Sequence, residues 1–153
     1  MSFAQGTEVP VERTRAEIEK LITRNYGAKE FGSAVMGEAA SIQFVLQGRR
    51  VRFMLKLPDR DWAREVVIKR KRSRYYRKDM VPESLVIPLI DAEYRRRWRC
   101  LLLAIKAKLE VVESGIATFD EEFLAHIVID NRTIFDRIQE ASGGGRPLLP
   151  PVT

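Results

Sequence analysis

An α+β fold is predicted for this 153-residue chain, and three observations predict it. Apolar residues recur at helical spacing near the start, alternate one-in-two between residues 40 and 57, and return to helical spacing after residue 89. Gly27, Gly48, Pro58 and Gly115 stand where the pattern changes. The apolar share of 45% and charged share of 31% suit one water-facing domain with a core of its own. The expected order is an N-terminal helix, a three-stranded antiparallel meander, a long central helix and two short C-terminal helices.

Residues 1–9 are expected to be a flexible N-terminus, 10–141 a single domain, and 142–153 a Gly/Pro-rich tail. Ile18, Leu21, Ile22 and Tyr26 share one face of a helix over 11–26, and Gly27 stands at its C-cap. Phe31 to Met36 is a short, mixed strand interrupted by Gly37. Residues 40–47 and 50–57 are stronger strands, joined around Gly48-Arg49. In the second, Val51, Phe53, Leu55 and Leu57 alternate with Arg50, Arg52, Met54 and Lys56, giving one core face and one basic face. Residues 62–80 are expected to be an exposed basic segment, because so much like charge repels itself. Val81-Pro82 and Ile87-Pro88 bracket an extended connector. The long helix is expected over 89–114, with Tyr94, Trp98, Leu101, Leu102, Ile105, Leu109 and Val112 as its main stripe. A second stripe, Cys100, Leu103, Ala104, Ala107 and Val111, marks either a central helix or an interface with another subunit. Thr118 with Glu121 forms a capping box before a helix over 119–127. Asp130-Asn131 reads as a turn. Thr133 with Asp136 opens a last helix to Ala141, and Leu148 and Leu149 are apolar anchors in the tail.

Positive charge is concentrated in one place. Between Arg64 and Lys108 stand 14 Lys and Arg against 5 Asp and Glu, a net of +9, whereas the whole chain carries +6. Everything outside that span therefore sums to −3, so the basicity is local and points to a polyanion. Lys69, Arg70, Lys71, Arg72, Arg74, Arg77 and Lys78 would hold phosphates, releasing counterions from the nucleic acid. Tyr75 and Tyr76, set between Arg74 and Arg77, would stack unpaired bases, each at about 1–3 kcal/mol. Arg95, Arg96 and Arg99 would extend the surface, and Arg50 and Arg52 would continue it on the sheet. The bland alternative is a solvated loop, or one neutralised by another subunit. Trp98 belongs to the main stripe and is assigned to the core rather than to a base.

Four stretches carry a family resemblance: VERTRAEIEKLI, GRRVRFMLKLPD, RRWRCLLLAIKAKLEVVESGIATFDEEFLAHIVI and RPLLP. Together they resemble a family of small proteins of unknown function carried by bacteriophages and prophages. The likeness covers most of the chain except residues 62–88. It implies a phage-encoded protein of the host cytoplasm and no particular chemistry. The element order is also similar to that of double-stranded-RNA-binding domains and of single-strand annealing proteins, an analogy of topology alone.

Signs of catalysis are weak. Asp59, Glu65 and Lys69 stand at the wrong spacing for a metal-dependent nuclease. Asp120, Glu121 and Glu122 suit the first turn of a helix, with Glu110 and Glu113 as conceivable co-ligands of a metal. His126 is expected to stabilise a helix C-terminus, and Cys100 to pack. One His and one Cys cannot make a zinc site, and Gly143-Gly144-Gly145 precedes no helix, so it is no phosphate loop. The single cysteine and the absence of an apolar run of membrane length point to a cytoplasmic protein. No cofactor and no metal are expected. The sequence thus favours non-enzymatic nucleic-acid binding, single-stranded DNA first, in phage replication or recombination. The alternative is a homo-oligomeric interaction factor whose basic segment binds an acidic host or phage protein.

Overall fold

A computed structural model describes residues 4–70 and 77–143. The change of apolar period marks the element order. Helix α1 (Val11–Lys20) runs into a π-helical turn (Leu21–Asn25) and buries Val11, Thr14, Ile18 and Ile22. Gly27 adopts φ +70°, which a Cβ would disfavour, and the Ala28 N–H then closes onto the Ile22 carbonyl at 3.0 Å.

Strands β1 (Lys29–Met36), β2 (Ala39–Leu46) and β3 (Arg49–Lys56) form the antiparallel meander in the order β1-β2-β3. Gln47 and Gly48 both have positive φ and make the two-residue turn, so Leu46 pairs with Arg49. The hairpin loop is thus one residue earlier than expected. Strict alternation along β2 and β3 puts Ala40, Ile42, Phe44, Leu46, Val51 and Phe53 on one buried face. That face packs against Ile18 and Ile22 of α1 and against the long helix α3 (Glu83–Glu113). Trp98, Leu101, Leu102, Ile105 and Leu109 supply the α3 side, with Tyr94 and Val112 partly buried beside them. The main stripe is therefore the core stripe, and Trp98 is fully enclosed.

Two larger expectations also need correction. Residues 60–70, expected to lie in an exposed segment from residue 62, are a helix, α2 (Arg60–Arg70), with Ala63 and Val67 buried. Asp59 starts it by accepting the Trp62 N–H at 2.7 Å. Ala63 and Val67 form a second, small core with Val81 and Val86, onto which Trp62, Ile68, Leu85, Leu89 and Ile90 pack. Like charge is tolerated because acids lie alongside: Lys78 reaches Glu65 at 3.0 Å and Asp61 at 3.6 Å, and Arg64 reaches Glu83 at 3.4 Å. The second correction concerns α3, which begins at Glu83 rather than at 89 and contains Pro88. Pro88 lies within the first two turns, so its missing N–H withdraws only a bond to the Ser84 carbonyl near the helix end.

α4 (Phe119–Phe123) follows its predicted capping box and ends in a single 3₁₀ turn, Leu124–His126. A small hairpin, β4 (Val128–Ile129) and β5 (Arg132–Thr133), turns through Asp130-Asn131, both at positive φ. The turn was expected and its strands were not. Val51 forms an antiparallel bridge to Ile127, so this region covers the far edge of β3. α5 (Ile134–Ala141) begins at the second capping box, Thr133 with Asp136. Among the described residues no helix is long and apolar enough to cross a membrane.

Candidate nucleic-acid interface

α2 positions the predicted interface. Its last residues, Lys69 and Arg70, are exposed and, among the described residues, have no ion-pair partner. Lys71, Arg72, Arg74, Tyr75 and Tyr76 lie outside the described residues. Arg77, the next described residue, has a side chain that is 79% exposed and grips Asp79 at 3.0 Å. Lys78 turns back to α2, and its hydrogen bond with Glu65 raises its pKa. Both flanks of the basic segment are thus held together by Lys78 and by the small core of Ala63, Val67, Val81 and Val86.

The α3 arginines are engaged within the fold. Arg96 makes a fork-to-fork pair with Glu93, donating at 2.7 and 2.6 Å, and its remaining nitrogen lies 3.7 Å from the Cys100 Sγ. Arg97 donates to Glu93 at 2.9 Å and to the Lys56 carbonyl at 2.5 Å, with its guanidinium over the Trp62 ring. The Arg96 hydrogen bond is the main reason the Glu93 carboxyl is held below the usual carboxylate range. Arg99 reaches Glu17 of α1 at 2.7 Å, and Arg95 donates to the Thr7 carbonyl at 3.3 Å. On the sheet, Arg50 pairs with Glu30 at 2.7 Å, and Arg52 donates to Gln43 and Asn131. These side chains tie elements together, and Arg50, Arg96, Arg97 and Arg99 do so as ion pairs, whereas Arg95 meets only the neutral Thr7 carbonyl.

The second stripe of α3 divides. Its N-terminal continuation, Leu85, Val86, Leu89 and Ile90, packs with the α2 core. Farther along, Ala104 and Ala107 are exposed, Leu103 is 39% exposed, and Cys100 and Val111 are half-buried. The stripe is therefore partly that of a central helix and partly open surface.

The acidic residues weighed as metal ligands have other work. Asp59 caps α2, Glu65 holds Lys78, and Asp120 pairs with Arg49 through two bonds at 2.9 and 2.8 Å. Glu121 closes its capping box with Thr118, and Glu122 holds Lys108 at 3.1 Å. Among the described residues no group of three acid, His or Cys side chains could hold a metal. His126 departs from its expected role as a cation at a helix end. Its ring stacks on Phe53 at 4.2 Å, and burial and then Lys108 lower its pKa, which favours the neutral form.

Sequence reasoning missed a groove of about 980 Å³ between the π-helical turn and α3. Glu17, Tyr26, Leu46, Arg99, Leu103 and Glu113 are among its lining. Tyr26 donates to Glu113 at 2.9 Å, and desolvation with that hydrogen bond pushes its phenol up to about 12. Tyr26 had looked like one more member of the α1 stripe, because only the distant Glu113 shows its polar role. No protein-family model matches this chain, and neither a curated protein nor a solved structure matches it.

Proposed function

We propose that this chain is a non-enzymatic nucleic-acid-binding protein of a phage, acting on single-stranded DNA in replication or recombination in the host cytoplasm. One observation carries the reading. Lys69 and Arg70 project from the end of α2 without an acidic partner among the described residues, while the sequence continues with Lys71, Arg72 and Arg74. Two exposed cations without an acidic partner among the described residues, at the head of a basic run of sequence, support phosphate binding, since each contact made releases counterions. Tyr75 and Tyr76 in the same stretch support single strands, whose bases offer faces for stacking. Arg96 and Arg99 leave the proposed surface and become its scaffold, because their charges are paired with Glu93 and Glu17; Arg95, which meets only the Thr7 carbonyl, stays with the surface.

The test is fluorescence anisotropy of labelled single- and double-stranded DNA and RNA at two salt concentrations. Salt-sensitive binding that prefers single-stranded DNA supports the reading, and no binding at low salt overturns it. The exposed stretch at Leu103, Ala104 and Ala107 favours a second reading, a homo-oligomeric interaction factor whose basic segment takes an acidic protein. In that case neutralising the segment abolishes protein capture, and nucleic acid is ignored throughout.

A further inference from the structure

Strand β1 is an edge of the sheet, and among the described residues nothing pairs with its outer side. The opposite edge is treated differently, since Ile127 bridges Val51 of β3. A free edge presents a row of backbone N–H and C=O groups that an extended strand satisfies. Natural edges are protected by charge, proline or a bulge. Here a bulge disturbs the register between Lys29 and Gly32, but Ser33 to Met36 pairs regularly with Ile42 to Ala39. The stretch from Phe31 to Met36 contains neither charge nor proline. Val35 is 48% exposed and Met36 76%.

The charges at the two ends of the strand identify the occupant. Lys29 opens β1, and Glu38 stands in the turn just past Met36. Both are exposed, and neither has an ion-pair partner among the described residues. Glu30 is already held by Arg50. A second β1 laid antiparallel brings the Lys29 end of each chain to the Glu38 end of the other, and the two-fold axis makes that pairing twice. A parallel copy would set Lys29 against Lys29. We infer that β1 is a self-association edge, through which a second copy of this chain pairs antiparallel and extends the sheet across both molecules. The inference is independent of nucleic-acid binding and places the contact on β1 rather than on the α3 stripe.

Sedimentation equilibrium of the full chain, freed of nucleic acid, tests it over a concentration series. A monomer–dimer equilibrium is expected. Lys29→Glu and Glu38→Lys should each weaken it about tenfold, since two symmetric attractions become repulsions. The double variant should restore it. Both residues are exposed, so circular dichroism should show the fold unchanged. As a second readout, amide exchange between Ser33 and Met36 should slow as concentration rises. A chain that stays monomeric, single reversals without effect, or a double variant that fails to recover would each overturn the proposal. So would a dimer that ignores β1 and is lost on Ala107→Glu, which would place the contact on α3.

Discussion

Glu93 shows what one carboxylate does when two arginines converge on it. Its side chain is 11% exposed, and it accepts from both Arg96 and Arg97. Glu93→Gln should destabilise the fold by about 1–3 kcal/mol, because two partly buried guanidinium groups lose their anion. Urea denaturation at neutral pH measures this. The folded pKa lies below the ordinary 4.5, chiefly through the Arg96 hydrogen bond, so Glu93's contribution is full above that value and is lost as pH falls through the lower one. The variant should therefore also be less sensitive to acid. His126 has its own window. With its folded pKa depressed below 6.5 by burial, the unfolded chain takes up a proton first as pH falls, and stability drops below that value. His126→Gln should flatten the change measured between about pH 7.5 and 5.5, where histidine is the side chain that ordinarily titrates. An unchanged slope would mean that burial, with Lys108 nearby, does not hold the ring neutral.

At the scale of elements, α2 and the first turns of α3 form a unit with its own small core. The unit exists because a few apolar residues, Trp62, Ala63, Val67 and Ile68, find Val86, Leu89 and Ile90 across the turn. Val67→Ala should cost roughly 1–3 kcal/mol by leaving a cavity in a core with few other members. The loss should be local. Hydrogen exchange should speed up in Arg60–Arg70 and near Glu83 before it does in β2 or in α3 around Ile105. Uniform acceleration would show that the small core and the large one open together.

For the whole molecule, on the proposed function, the placement of paired and unpaired cations decides where a polyanion would bind. The arginines of α3 pull in Glu17, Glu93, Lys56 and Thr7, so they contribute to the cohesion of the fold. Lys69 and Arg70 contribute little to it and stand at the end of α2. On the proposed function, replacing both by Gln should leave the unfolding transition nearly unchanged and lower the salt slope for single-stranded DNA by about 0.7 per charge. Arg99→Gln should do the reverse, weakening the α1–α3 contact while sparing the slope. Anisotropy titrations and thermal melts on both variants separate the two classes, and equal effects on affinity would refute the division.

The sequence by itself determined the local layer of this protein. The period-two run put Ile42, Phe44, Val51 and Phe53 on one face, and the stripe from Trp98 to Leu109 was legible at helical spacing. Both capping boxes, Thr118 with Glu121 and Thr133 with Asp136, form their reciprocal bonds. Gly27 and Gly48 stand at the turns they were expected to make. These signals depend on neighbours within a few residues, so they survive in the linear text. Tertiary structure decided the rest. Whether the charged run beginning near Arg60 would be helix or loop turned on a core contributed by Val81 and Val86. The Arg99–Glu17 pair spans 82 positions, and the Tyr26–Glu113 bond spans 87. Side chains that far apart meet only after α1 and α3 have packed on one sheet, and no local spacing records which cations that packing will neutralise.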